Sequence, residues 1–247
     1  MKIQLVIPAR YNSGRLPGKP LLPLLGVPMV ERTWRRCTAA FSPDDVLVAT
    51  DDERIADHCR TVGIRFMMTS PDCLTGTDRV AEVASRVEAD YFINVQGDEP
   101  LINPGDILAM AKAAETHRDD LLLGICEVTS EEQYRNPTVP KAVFRLDGRL
   151  LYISRASIPA TKQLEFRQAW RPVWIYGFPP AALAAYAARG AKTPIEAIED
   201  NESIRFLEMG YDIRLVEMTA NSIAVDTQED VALVEARLRL EEADARP

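Results

Sequence analysis

The chain has no long apolar run: nothing in its 247 residues approaches the ~20 that a membrane-spanning helix requires. Its opening, Met1-Lys-Ile-Gln-Leu-Val-Ile-Pro8, reaches proline after only a few apolar residues and is too short for the apolar core of a secretory signal. Cysteine is scarce. Four thiols (Cys37, Cys59, Cys73 and Cys126) lie far apart with no Cys-x-x-Cys pair. That spacing excludes a disulfide framework and a thiolate zinc site, and makes the reducing cytoplasm the simplest compartment. Histidine is scarcer still: His58 and His117 sit in polar, helix-like contexts, and no Ser–His or Cys–His nucleophile pattern is visible. An excess of positive charge is also missing. Lys and Arg number 29 against 37 Asp and Glu, a net charge of -8, which argues against nucleic acid or an anionic membrane surface as the main partner.

What is present is a β/α alternation. Apolar, β-rich runs at 3–7, 46–50, 64–68, 91–95 and 121–127 alternate with helical patterns at 28–41, 53–62, 77–87 and 104–115, with Thr77 as a plausible N-cap. This predicts a doubly wound, mostly parallel α/β sheet of the Rossmann-like type. The pattern breaks near residue 140. Runs at 142–146 and 150–154 flank Asp147-Gly148-Arg149, a hairpin signal, and 158–174 is irregular, rich in proline and aromatics, with no obvious core element. Residues 142–178 therefore read as an inserted arm, either a substrate lid or a dimerisation element. Helices follow at 180–188, 194–208 and 228–241, with a strand at 213–217. With no repeat and no linker, residues 1–247 read as one domain.

Leu5-Val-Ile-Pro-Ala-Arg-Tyr-Asn-Ser-Gly-Arg-Leu-Pro-Gly-Lys-Pro20 places Arg10, Arg15 and Lys19 in a loop after the first strand, where open α/β sheets bind ligands. Cations beside glycine-exposed amides suit a polyphosphate; a solvated basic loop is the plain alternative. It is not a Walker loop, because Gly14-x-x-x-Gly18-Lys19 is one residue short and Pro20 stands where Ser or Thr would ligate magnesium. Asn94-Val-Gln-Gly-Asp-Glu-Pro100 ends a buried strand in an acidic turn, so Asp98 reaches the same sheet edge. A carboxylate beside a triphosphate calls for a divalent cation, Mg²⁺, between them, although a solvated turn is also open. In Ser222–Asp230, Thr227 and Asp230 have capping-box spacing, and Asp226 either complements the helix dipole or supplies a second metal ligand. Gly76 and Thr77 open a helix and either contact a ribose or base or simply cap it. On a helix over 194–208, Ile195, Ile198, Glu202 and Phe206 share one face. Glu202 then interrupts an apolar stripe, either paired with Arg205 or lining a polar pocket, while Glu196, Glu199 and Asp200 read as a solvated face.

Eight segments occur together and in order: Ile7-Pro-Ala-Arg-Tyr11, Arg15-Leu-Pro-Gly-Lys-Pro20, Val48-Ala-Thr-Asp51, Gly76-Thr-Asp-Arg79, Asn94–Pro100, Tyr152-Ile-Ser-Arg155, Ile175-Tyr-Gly177 and Val225-Asp-Thr227. The chain thereby resembles the cytidylyltransferases that activate 3-deoxy-manno-octulosonate (Kdo). The resemblance implies a nucleotidyltransferase domain, a homodimer joined through the arm, and CTP plus a 2-keto-3-deoxy sugar acid as substrates, for lipopolysaccharide or capsule biosynthesis. It implies that Arg10, Arg15 and Lys19 hold the triphosphate and that Ala9, Gly76, Thr77 and Gln96 contact the nucleotide. Asp98 and Asp226 would bind Mg²⁺, completing a catalytic set with Lys19, and Arg155, Tyr176, Glu202 and Ser203 would face the acceptor. Two places depart from the family pattern: Pro172-Val173-Trp174 replaces a typical His-Leu-Gly, and Asn201-Glu202-Ser203 replaces Leu-Glu-Gln.

Overall fold

The computed structural model describes residues 1–12, 16–220 and 222–244. Strand β1 (Ile3–Ala9) is buried from Gln4 onward, as a central strand covered on both faces must be. A short ribbon, β2 (Pro23–Leu24) with β3 (Val27–Pro28), leads into helix α1 (Met29–Thr38). Then come β4 (Val46–Thr50), α2 (Glu53–Val62), β5 (Phe66–Met68), α3 (Gly76–Ala84), β6 (Tyr91–Val95), α4 (Pro104–Thr116) and β7 (Leu121–Glu127). Local chemistry sets the bounds. Helix α2 starts where the Asp52 side chain accepts from the Arg54 amide and stops at Gly63, whose φ of 73° suits a left-handed C-cap. The second half contains α5 (Glu131–Arg135), β8 (Lys141–Phe144), β9 (Leu150–Ser154), β10 (Trp170–Phe178), α6 (Pro180–Arg189), α7 (Pro194–Glu199), α8 (Ser203–Glu208), β11 (Ile213–Glu217) and α9 (Gln228–Asp244).

Among the described residues the main sheet runs β11-β7-β10-β6-β1-β4-β5, with β8 paired to β10 and β9 to β8. Pairings of β1 with β4 and β6, β4 with β5, and β11 with β7 are parallel; β10 is antiparallel to both its neighbours. The expected α/β architecture is therefore present. One core layer packs Val30, Ile55, Ile107 and Met110 from α1, α2 and α4 on one face, and another packs Val80, Val83, Leu183 and Tyr186 from α3 and α6 on the other. The chain leaves β1 toward β4 on one side, while β6 returns on the other. That reversal opens a crevice at the carboxyl ends of β1 and β6.

Three expectations need correction. The region 158–174 is not without a core element: its end begins β10, a strand in the middle of the sheet. Proline disguised it, yet Pro172 is tolerated because β10 pairs with β6 only from Ile175 on and has β7 alone beside Pro172. The N-cap of α3 is Thr75 rather than Thr77, in a capping box with Asp78. The helix expected over 194–208 is two short helices, broken at Asp200, a non-glycine residue in the left-handed region at φ 47°. The break dissolves the predicted stripe, since Ile198 is 81% exposed while Phe206 is buried.

The crevice depends on a close backbone approach. A Cβ on Gly97 would lie 2.7 Å from the Pro8 carbonyl oxygen, a contact that only backbone movement relieves. Gly97→Ala should lower stability by ~1–3 kcal/mol, read as a lower denaturant midpoint at unchanged slope; an unchanged midpoint would show that β1 and β6 separate freely there.

Candidate active site

A cleft of about 370 Å³ opens at the carboxyl ends of β1 and β6. Ala9, Arg10, Lys19, Gly76, Gln96, Asp98, Arg155, Tyr176, Glu202 and Asp226 all line it. Thr77 and Ser203 are buried and stand behind the lining, and Arg15 lies outside the described residues.

At one end three segments distant in sequence meet on a single ammonium. Lys19 Nζ donates to Asp98 Oδ2 at 2.6 Å, to the Val225 carbonyl at 2.9 Å and to Asp226 Oδ1 at 3.2 Å. The Val225 amide donates in turn to the Asp98 carbonyl at 3.0 Å, stitching the 225–226 segment alongside the acidic turn. Burial works against the Lys19 charge, but Asp98 first and Asp226 second outweigh it and raise its pKa above the ordinary lysine value. Asp226 leads into the expected capping arrangement, in which the Thr227 amide donates to Asp230 Oδ2 at 2.8 Å and the Asp230 amide to Thr227 Oγ1 at 3.3 Å.

Behind this cluster Glu99 is 2% exposed and accepts from Ser222 Oγ. Burial, reinforced by Asp98, pushes its carboxyl up to about 7. The folded chain then holds a proton there that the unfolded chain releases near the usual carboxylate pKa. Its contribution is full at low pH and is lost as pH rises toward and through about 7.

The middle and far end are organised by Glu202 and Arg205. Glu202 accepts from the Thr77 amide at 2.9 Å and from Gln96 Nε2 at 2.8 Å, so it sits on the N-terminus of α3 and fixes the Gln96 amide. Burial raises its pKa, with the Thr77 amide opposing. Arg205 is not its partner. Arg205, fully buried, donates to Glu196 at 2.6 and 2.7 Å and to Asp78 Oδ1 at 2.8 Å, and stacks 3.8 Å over the Tyr186 ring. Glu196 is therefore buried rather than solvated, Glu199 is partly exposed yet fully engaged, and Asp200 is exposed as expected. Glu199 accepts from the Arg155 amide, Ser154 Oγ and Tyr152 at 2.7–3.2 Å, and although burial opposes, these donors hold its pKa below the usual range.

Arg155 spends Nε on the Glu199 carbonyl at 2.7 Å and Nη2 on the Asp200 carbonyl at 3.3 Å, clamping the break between α7 and α8. Buried Lys141 donates to the carbonyls of Asn136, Val139 and Arg155 at 2.7–3.0 Å, which brings Thr138 and Pro140 to the cleft wall. A register shift in β10 between Val173 and Tyr176 accompanies Trp174 and Tyr176 at the wall, their rings 6.3 Å apart and near parallel. Burial, then Glu202, pushes the Tyr176 hydroxyl pKa well up.

Sequence reasoning had not assigned Thr75, Arg79, Thr138, Trp174, Lys192, Asp200 or Asn201 to the lining. Arg79 stood in a recognised motif and Trp174 and Asn201 at departures from the family pattern, so these carried a signal. Thr138 and Lys192 carried none, because only tertiary folding brings their loops to the cleft.

Chemically the cleft joins a cation between two carboxylates at one end to Arg10, Arg155 and Lys192 at the other. Such a box suits two anionic substrates laid end to end. A sequence model described as cytidylyltransferase matches residues 5–213. The chain is 42% identical to a 3-deoxy-manno-octulosonate cytidylyltransferase of Myxococcus xanthus over 95% of each chain. It is 36% identical to an 8-amino-3,8-dideoxy-manno-octulosonate cytidylyltransferase of Shewanella halifaxensis over 98% of this chain and 100% of that one. A solved CMP:2-keto-3-deoxy-manno-octonic acid synthetase complexed with CTP superposes with a TM-score of 0.90 at 34% identity, covering 98% of this chain and 100% of that one.

Two measurements check this geometry. Arg205→Ala leaves Glu196 charged and buried, so it should cost ~3–5 kcal/mol, whereas replacing both Arg205 and Glu196 by methionine should recover much of that; equal losses would show that the pair's charges do not matter. Glu99→Gln should flatten the decline in stability between pH 5 and 8, a difference on the order of 3 kcal/mol at the alkaline end. Parallel pH profiles of the two proteins in chelator would contradict the protonated carboxyl.

Proposed function

This chain belongs to the cytidylyltransferase family, and we propose that it transfers the cytidylyl group of CTP to 3-deoxy-manno-octulosonate or a closely related 2-keto-3-deoxy sugar acid, releasing pyrophosphate. The observation that carries the reading is the single cleft that holds both the Lys19–Asp98–Asp226 cluster and the Arg155–Glu202 acceptor wall. Relatives named for this activity match nearly the whole chain, which supports it.

The acceptor's anomeric hydroxyl attacks the α-phosphorus. The new oxygen–phosphorus bond forms as the bond to pyrophosphate breaks, and charge grows on the departing oxygens. Lys19, raised in pKa and fixed by its carboxylates, is a preorganised cation for that charge. Arg10, at the end of β1, lines the same cleft on the Asp200 side, away from the Lys19 cluster, and adds positive charge between the two substrates' seats. Gln96, held by Glu202, and the start of α3 at Gly76 shape the nucleotide's seat. Asp98 and Asp226 would hold a magnesium ion: their oxygens both converge on one Lys19 nitrogen, and hard carboxylates suit that cation. When bound there, Mg²⁺ would offset phosphate charge and lower the pKa of the attacking hydroxyl.

A homodimer joined through residues 142–178 is part of the proposal. Among the described residues strand β9 pairs with β8 alone, leaving its other edge open, and Leu146, Leu151 and Leu164 are exposed. Cytoplasmic placement is supported by four free cysteines, and no described helix is long and apolar enough to cross a membrane.

Pyrophosphate release from CTP and Mg²⁺ should be seen with 3-deoxy-manno-octulosonate among a panel of 2-keto-3-deoxy acids, and no turnover with any of them would remove the reading. Asp98→Asn should cut kcat by ~10²–10³-fold and leave CTP affinity, by calorimetry, changed far less. An unchanged kcat would make Asp98 a turn residue only.

A further inference from the structure

The break between α7 and α8 places an amide in the acceptor wall. Asn201 lines the cleft and is 6% exposed. Its Oδ1 accepts from the Ser203 amide at 3.0 Å, which fixes which end of the side chain is oxygen. The other end, Nδ2, is buried and finds no hydrogen-bond partner among the described residues. A buried donor without an acceptor costs ~1–3 kcal/mol, and such groups call for a specific explanation.

The surroundings say what kind of group would satisfy it. Asp200, the preceding residue, is held at φ 47° by its carbonyl's bond from Arg155 and by Lys192 Nζ on Oδ1 at 2.8 Å. Its negative charge is thus already answered by Lys192, with Arg155 and Arg10 also near enough to lower its pKa. The wall at Asn201 therefore sets the cations Arg10, Arg155 and Lys192 beside the carboxylates of Asp200 and Glu202, which already accept from Lys192, the Thr77 amide and Gln96. An amide N–H without a protein acceptor selects an oxygen lone pair on the ligand.

We infer that Asn201 is a specificity residue for the acceptor, its Nδ2 donating to a hydroxyl or carboxylate oxygen of the sugar acid. The inference rests on the proposed function and adds to it a recognition residue where the family pattern has leucine. It also gives the acceptor wall an amide two positions before Ser203, which stands where that pattern has glutamine. A site built around a buried donor rejects ligands that leave it unpaired.

The test separates the donor from the bond to Ser203. Asn201→Leu removes both Nδ2 and Oδ1. Asn201→Thr keeps a hydroxyl oxygen able to accept from the Ser203 amide and removes Nδ2 without adding charge. Both variants are expected to raise the KM for 3-deoxy-manno-octulosonate by ~10-fold or more, with the KM for CTP unchanged and with Asn201→Thr melting within a few degrees of wild type. Full recovery of the acceptor KM in Asn201→Thr would overturn the inference, because the bond to Ser203 alone would then account for the residue. So would an unchanged acceptor KM in both variants, or an equal rise in both substrates' KM values. Wild-type protein that turns over neither 3-deoxy-manno-octulosonate nor its 8-amino-3,8-dideoxy analogue would instead sink the functional reading, and this inference with it. Wild-type turnover with unaffected variants sinks the inference alone.

Discussion

Two carboxylates brought to one edge of a sheet repel each other, and the site exists because Lys19 lies between them. Asp98 follows β6, Asp226 precedes α9 and Lys19 follows β1, so their meeting ties together the start, middle and end of the chain. The Val225–Asp98 backbone bond holds the same junction without charge. This arrangement gives the lysine a double part. It offsets part of the negative charge of the pair, and the pair in turn holds its ammonium in one place at the sheet edge. Partial burial strengthens each of these interactions relative to water.

The far end of the cleft has a different logic, built on one buried guanidinium. Arg205 joins α8 to α7 through Glu196 and to the cap of α3 through Asp78, with Tyr186 of α6 stacked beneath and hydrogen-bonded to Thr75 at 3.1 Å. Glu202 crosses the same gap from α8 to the first amides of α3 and to Gln96. The start of α3, Gln96 and the wall formed by α8 therefore share their supports, so a displacement of α8 would move both sides of the cleft.

Much of this was legible in the sequence, for local reasons. The strands at 46–50, 91–95 and 121–127 and the helix at 53–62 are where their apolar patterns and caps predict, because each element's periodicity reports a face that must be buried. The turn at Asp147-Gly148 is likewise present, with Gly148 at φ 79° between β8 and β9. Strand β10 was hidden, because Pro172 argues against a central strand unless one knows that only one neighbour lies beside it. The run 194–208 looked like one amphipathic helix, because periodicity does not register a left-handed residue at Asp200 imposed by Lys192 and Arg155. Glu202 was picked out as an acid in an apolar stripe; its partners proved to be an amide of α3 and Gln96 rather than Arg205.

The sequence by itself determined the alternation of strands and helices, the cationic loop after β1, the acidic turn after β6 and the acid before the last helix. Each is written in contiguous residues and follows from short-range sterics, capping and burial. Tertiary structure decided which of these meet and what they mean. It set the antiparallel place of β10, the Lys19 bridge across more than two hundred positions, the buried Arg205–Glu196 pair and the Asn201 Nδ2 that has no partner among the described residues. Partners far apart in sequence leave no periodic trace. Their energetics arise only when folding removes water from both and leaves each buried charge or donor to find, or lack, a counterpart.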